Sequence, residues 1–259
     1  MRTSEWLLFG TLFIGLIQGS VSMEQQSGAQ ARVLSQARQL LVVTTKDWNT
    51  VDGELLRYER VAGQAWQAVG GKVQIVVGRN GLAWGKGLHG DLAILANASD
   101  PIKKEGDGRS PAGIFSLSSA FGYAPREQAR NVKLPYVEAT GTLECVDDSQ
   151  SANYNRVLER GRAARVDWKS SEQMRREDEL YRWGVVVDHN ASPPQAGCGS
   201  CIFLHIWEGM GKGTAGCTAM NAARMEEILF WLDPQKKPLI VQLPRAEFER
   251  LCDLWGLPR

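Results

Sequence analysis

Apolar positions in this chain fall in short runs rather than in long helical stripes. Leu40-Leu41-Val42-Val43-Thr44-Thr45 is dense in β-branched residues and predicts a strand. Residues 55–61 and 65–69 predict two more, parted by a Gly turn, and Lys72-Val73-Gln74-Ile75-Val76-Val77-Gly78 alternates as a half-buried strand does. Arg79-Asn80-Gly81 is a turn signal, and residues 82–89, bearing Gly and Trp, read as loop or sheet edge. Ile114-Phe115-Ser116-Leu117, Val185-Val186-Val187, Ile202-Phe203-Leu204 and Leu239-Ile240-Val241 are short apolar runs of the buried-strand kind. Helical spacing shows in two places. Residues 219–232 carry Met220, Ile228, Leu229 and Leu232, and Asp233-Pro234 stops them. Residues 246–255 form a terminal amphipathic stretch. Strands outnumber helices, so the pattern predicts a mainly β, sandwich-like domain with flanking helices.

Residues 141–180 interrupt this pattern with many charges and few apolar positions, and read as an irregular insertion. No repeat and no later composition break divides residues 38–259, which read as a single domain. Before them, residues 23–37 are polar and Gln-rich, an expected mobile lead-in. At the very start, Arg2 precedes an almost unbroken apolar stretch from residue 6 to 17, and Ser20-Val21-Ser22 offers small residues at a cleavage site. Residues 1–22 thus have the form of a secretory signal peptide, whose apolar stretch is too short to span a bilayer comfortably. The expectation is export to the periplasm or cell envelope, with no stable membrane insertion after cleavage.

Composition narrows the function classes. With 43% hydrophobic and 23% charged residues the chain is not disordered. Lys and Arg number 30 against 29 Asp and Glu, so no charge surplus favours nucleic acid as a partner. Five Cys cannot all pair with one another, and an exported protein meets an oxidising compartment.

Chemistry concentrates near residue 217. Thr214-Ala215-Gly216-Cys217-Thr218 places a Cys directly before the predicted helix, with Thr218 as a possible N-cap. A thiol there would feel the positive helix end, which favours thiolate, and the expected pKa lies below the free-thiol value of about 8.5. His205 ends the run Cys201-Ile202-Phe203-Leu204, where it can face that Cys as a base. The same two residues also fit a plain structural role, a buried Cys and a satisfied core His. Of the remaining residues, His189 in Asp188-His189-Asn190 borders a strand and is a possible substrate contact or a loop residue. Trp207 can line a groove or pack in a core. His89 reads as a turn residue, and Lys103-Lys104-Glu105-Gly106-Asp107 as a solvated loop. Cys198-Gly199-Ser200-Cys201, with His205 beyond, can be drawn as a zinc site, but a structural disulfide is favoured, so no metal or cofactor is expected. Cys145, Cys198, Cys201 and Cys252 allow three connectivities, left open here.

Two stretches together resemble the YkuD-type L,D-transpeptidase catalytic domain family. Gly108-Arg109-Ser110-Pro111-Ala112-Gly113-Ile114-Phe115 is similar to the family's Ser/Thr-Pro-x-Gly-x-Phe element, and His205 followed by Thr214-Ala215-Gly216-Cys217 to its His…(Ser/Thr)-x-Gly-Cys signature. The resemblance spans about residues 73–241. It implies a β-sandwich catalytic domain with Cys217 as nucleophile, His205 as base and the backbone N–H groups of Gly216 and Cys217 as oxyanion hole. Thr214 joins His189 and Trp207 as possible substrate contacts. The implied partners are peptidoglycan stem peptides, cross-linked through a Cys217 thioester, or hydrolysed if water resolves it as in an L,D-carboxypeptidase. The chain departs from the pattern in Ile206-Trp207 after the His, a shorter His-to-Cys spacing, and Ala219 where many members carry Arg. A reading from a different class is a non-catalytic envelope-binding module held by disulfides or zinc.

Overall fold

The computed structural model describes residues 33–163 and 165–259. The expected signal peptide lies outside the described residues, as does the lead-in up to residue 32. From residue 33 onward the lead-in is packed rather than mobile: Leu34 and Ala37 are buried in the main core, where their apolar surface is taken from water. Among the described residues no helix is long and apolar enough to cross a membrane.

Among the described residues thirteen strands follow in chain order: β1 (Gln39–Thr45), β2 (Asp52–Glu59), β3 (Gln67–Val76), β4 (Leu82–Trp84), β5 (Ser110–Gly122), β6 (Tyr136–Glu138), β7 (Leu143–Val146), β8 (Val157–Glu159), β9 (Ser171–Gln173), β10 (Trp183–Val187), β11 (Phe203–Ile206), β12 (Thr218–Met220) and β13 (Leu239–Pro244). The helices are α1 (Leu92–Leu95), α2 (Ala222–Trp231) and α3 (Arg245–Trp255). The domain is mainly β, as the apolar runs predict. The stretches 55–61 and 65–69 are parted by a turn as predicted, in β2 and β3, while 65–69 and 72–78, expected as separate strands, run together in β3 through Gly70 at φ +72°.

The main sheet differs from a two-sheet sandwich. Its strands run β10-β11-β12-β3-β2-β1-β13-β5, and β5 also pairs with β10, which closes the path into a barrel. Closure needs a long strand. β5 pairs through residues 113–116 with β13 and through residues 117–122 with β10, one after the other. Gly113, at φ +135°, is required within it, since a Cβ there would lie 2.1 Å from His89 Cε1. β1 is almost wholly buried, which explains its unbroken apolar run. Both α2, capped by the Asn221 side chain, and α3, ended by Gly256 at φ +65°, cover the barrel with buried Leu, Ile, Met and Trp side chains.

The stretch 141–180 is not irregular throughout. β7, β8 and β9 form a separate three-stranded antiparallel sheet in the order β8-β7-β9. Its low apolar content reflects a polar anchor: the buried Glu144 carboxylate takes Arg160 Nε at 2.6 Å, Trp168 Nε1 at 3.2 Å and the Ser171 hydroxyl. A disulfide between Cys145 on β7 and Cys201 before β11 fastens this small sheet to the barrel. The C-x-x-C pair is therefore split, with Cys201 bonded and Cys198 free. Leu143, Cys145, Met174, Tyr181, Phe203 and Cys217 share the resulting second core.

Replacing Cys145 and Cys201 together by Ser opens a crosslink between residues 56 apart. The expected loss is about 2–4 kcal/mol, seen as a lower urea midpoint with the barrel still folded. Non-reducing peptide maps that recover Cys145 as a free thiol in the native protein would overturn the assignment.

Candidate active site

The turn that carries Cys217 is fixed by hydroxyl groups. Thr214 Oγ1 accepts from Gly216 N at 3.1 Å and donates to the Cys217 carbonyl at 2.6 Å. Ser110 Oγ, at the start of β5, donates to the same carbonyl at 2.8 Å and accepts from Gly78 N. One residue further, Thr218 Oγ1 donates to Gln242 on β13, and Gln242 Nε2 donates to the Pro111 carbonyl. The two sequence stretches, over a hundred residues apart, are thus joined by buried hydrogen bonds.

Cys217 is not at a helix mouth. Residues 218–220 form β12, and α2 begins at Ala222 with Asn221 as its cap. β12 must bridge β11 and β3, and its three residues are buried in that sheet, so the backbone there is extended. The dipole argument for a lowered thiol pKa falls with it. Burial pushes the Cys217 thiol up to about 12, the nearby Glu172 carboxylate adds to the rise, and the Phe203 N–H opposes it. The sulfur accepts from Phe203 N at 3.3 Å and directs its own proton toward the Cys201 carbonyl at 3.6 Å. It is unpaired, as the odd Cys count predicts for at least one residue.

His205 lies on β11, and its strand register sets it beside Ala219 on β12. His205 and Cys217 line one cleft of about 380 Å3, together with Tyr181, Glu172, Lys103 and Trp207. Nδ1 of His205 is 2.7 Å from the Ile206 carbonyl, which only accepts, so the neutral ring carries its proton on Nδ1 and its lone pair on Nε2. Burial lowers its pKa to about 4. Among the described residues no hydrogen bond joins His205 to Cys217. Tyr181 stands edge-on to the imidazole at 5.0 Å instead.

Three expectations change. The Gly216 N–H, expected in an oxyanion hole, is taken by Thr214 Oγ1, the usual fate of a donor in a short Thr turn. Thr214 lines the cleft, but its hydroxyl is committed to this turn. His189 is buried away from the cleft: Lys86 N donates to its Nδ1 at 3.2 Å and its Nε2 donates to the Cys198 carbonyl at 2.9 Å. Both nitrogens hold backbone, so it is a structural residue.

Two loop assignments also change. His89 is fully buried between the Gly85 carbonyl and Ile114 N rather than in an open turn. Lys103 is buried too, its ammonium 2.5 Å from Asp107, and with Glu105 it reaches the cleft wall. Ala219, where many members of the resembled family carry Arg, is buried within β12 and has no room for one. Arg224 pairs with Glu227 on α2 and does not line the cleft.

Sequence reasoning missed Glu172, Arg176 and Tyr181. They sit in the charged insertion or just after it, and only the disulfide and the second core bring them to the Cys. Compared with known proteins, the chain matches no family model and no curated protein.

Burial lowers all three histidines, His89, His189 and His205, to about 4. A folded pKa below the unfolded value of about 6.5 means that the unfolded chain binds the protons first. Stability should therefore fall as pH drops from about 6.5 toward 4, by up to about 1.4 kcal/mol per pH unit for each histidine. Urea midpoints that stay flat across this window would contradict the burial of neutral imidazoles.

Proposed function

We propose that this protein is an exported cysteine acyltransferase of the L,D-transpeptidase type, acting on peptidoglycan stem peptides. The observation that carries the reading is the shared cleft. A free thiol and a neutral imidazole with its Nε2 lone pair available line the same cavity, next to a motif pair that resembles the YkuD-type domain.

In the proposed reaction the Cys217 sulfur attacks the carbonyl between the third residue of the stem and the D-amino acid at position four. The thiol proton passes to His205 Nε2 as the S–C bond forms. The C–N bond then breaks, and the leaving amine takes that proton from His205. An amine of a second stem attacks the thioester, gives a proton to His205, and releases Cys217, which regains its proton from the imidazole. Water in place of the amine gives hydrolysis by the same site. The Nδ1–H bond to Ile206 holds the ring in the tautomer that both transfers need. For Gly216 N–H to stabilise the tetrahedral oxygen, it must leave the Thr214 hydroxyl when substrate enters.

Purified protein incubated with a tetrapeptide muropeptide should release the terminal D-amino acid. Cys217→Ala should abolish release with the fold intact, and His205→Ala should lower the rate by roughly 10²–10⁴-fold. A Cys217→Ala protein that still turned over the tetrapeptide would end this assignment.

A further inference from the structure

A second groove takes no part in the proposed reaction. It measures about 620 Å3, against 380 Å3 for the Cys217 cleft, and the two share no lining residue. We propose that this groove binds a primary ammonium group carried on an unbranched aliphatic stem, held by the Asp188 carboxylate and the hydroxyls of Ser116 and Ser118. The inference does not depend on the role of Cys217.

The seam between β5 and β10 brings these three residues together. Ser116 and Ser118 flank the buried Leu117 on β5, and both line the groove. Val185 pairs with Ala120 but Val187 with Leu117, so Val186 alone faces Ser118 and Ser119. Beyond this bulge Asp188 N donates to the Ser116 carbonyl at 3.0 Å, which sets Asp188 opposite Ser116. The carboxylate then takes one hydroxyl on each oxygen, Ser116 on Oδ2 and Ser118 on Oδ1, both at 2.6 Å.

That arrangement selects the ligand. A hydroxyl has one proton, and both serines give theirs to the carboxylate. What the three residues turn toward the groove is therefore lone pairs, an array that suits a donor. Charge narrows the donor further. Burial pushes the Asp188 carboxyl up, the two hydroxyls oppose the rise, and no cation contributes. Among the described residues no Lys, Arg or His forms an ion pair with Asp188; the charged residues that share the groove with it are Lys86 and Asp91. An ammonium matches three acceptor groups with three N–H donors and brings the countercharge. Leu88, Leu92, Ala191 and Pro193 add apolar wall, along which an aliphatic stem can lie.

The groove is held in shape by its own backbone. Lys86 N donates to His189 Nδ1 and Asn190 N donates to the Lys86 carbonyl, which binds the Gly-rich loop to the residues after Asp188. The Asn190 side chain makes three further bonds, to Gln195 N and to the carbonyls of Gln195 and Gly199. Gly87 lets the loop lie against β5, since a Cβ there would come within 2.3 Å of the Ile114 carbonyl oxygen. Walls fixed before a ligand arrives lower the ordering cost of binding.

The test is an NMR titration of the folded protein with n-pentylamine, read at the backbone amides. Amides of residues 116–118 and 188–191 should shift saturably, while those around Cys217 stay still. Asp188→Asn keeps the shape but turns one acceptor oxygen into a donor, and should weaken binding at least about tenfold. Ser118→Ala, at the exposed end of the array, removes one acceptor and should weaken it about threefold; it decides the matter if Asp188→Asn fails to fold. n-Pentyltrimethylammonium has the charge without N–H donors, and glucose has donors without the charge. Each should bind at least about tenfold more weakly than pentylamine. The proposal is overturned if pentylamine leaves these amides unmoved, if either variant binds it as the wild type does, or if either control binds as tightly. Shifts confined to the Cys217 cleft would overturn it as well. A last titration uses Nα-acetyl-lysine N-methylamide. Binding equal to that of pentylamine assigns the ammonium to a lysine side chain of a peptide, and weaker binding assigns it to a free amine; both results uphold the site.

Discussion

Two hydroxyls converge on the Cys217 carbonyl, and the placement of the thiol follows from them. Thr214 acts within the turn, but Ser110 reaches across 107 residues. Its single oxygen also accepts the Gly78 N–H, so one side chain fastens the chain after β3, the first residue of β5 and the Cys turn together. A buried carbonyl without such partners would carry a desolvation penalty of roughly 1–3 kcal/mol. The Thr218–Gln242–Pro111 chain repeats the device one residue on, from β12 to β13 to β5. These buried polar links fix the depth at which the sulfur sits.

That depth decides the electrostatics. At that depth the charged forms of both site residues are disfavoured, so burial raises the thiol and lowers the imidazole. The resting pair is then neutral Cys and neutral His. A preformed thiolate–imidazolium pair would need solvation that this cleft withholds. In the proposed reaction the proton would therefore leave the thiol only as attack occurs.

The β content was legible because buried strands force apolar runs: β1, β10, β11 and β13 each lie where a Val-, Ile- or Leu-rich run predicts them. Barrel closure was not, since it depends on β5 changing partners midway, and no local pattern marks that. Cys217 and His205 were legible as residue types in a spacing, and the cleft brings both to its wall. The state of the thiol was misread at Thr218-Ala219-Met220. These three residues fit a helix start equally well, and the demand of β3 and β11 for a strand between them overrides propensity. Lys103 was misread because a charged loop reads as solvated until its partner is known, and the Asp107 carboxylate is what allows its burial.

The insertion reads as irregular in sequence, yet it supplies one side of the site. Cys201 shows why. Its sulfur holds β7 through the disulfide, while its carbonyl receives the Cys217 thiol proton. One residue thus couples the position of the small sheet to the resting state of the Cys217 thiol. β9 hangs on β7 and carries Glu172, whose partner Tyr181 packs against His205. Moving the small sheet would shift the acceptor of the thiol proton and the wall charge at the same time. The three-stranded sheet is therefore part of the site's construction, and its low apolar content follows from that position. Its charges are aimed inward, at Glu144 to hold itself together and at Glu172 to face the thiol.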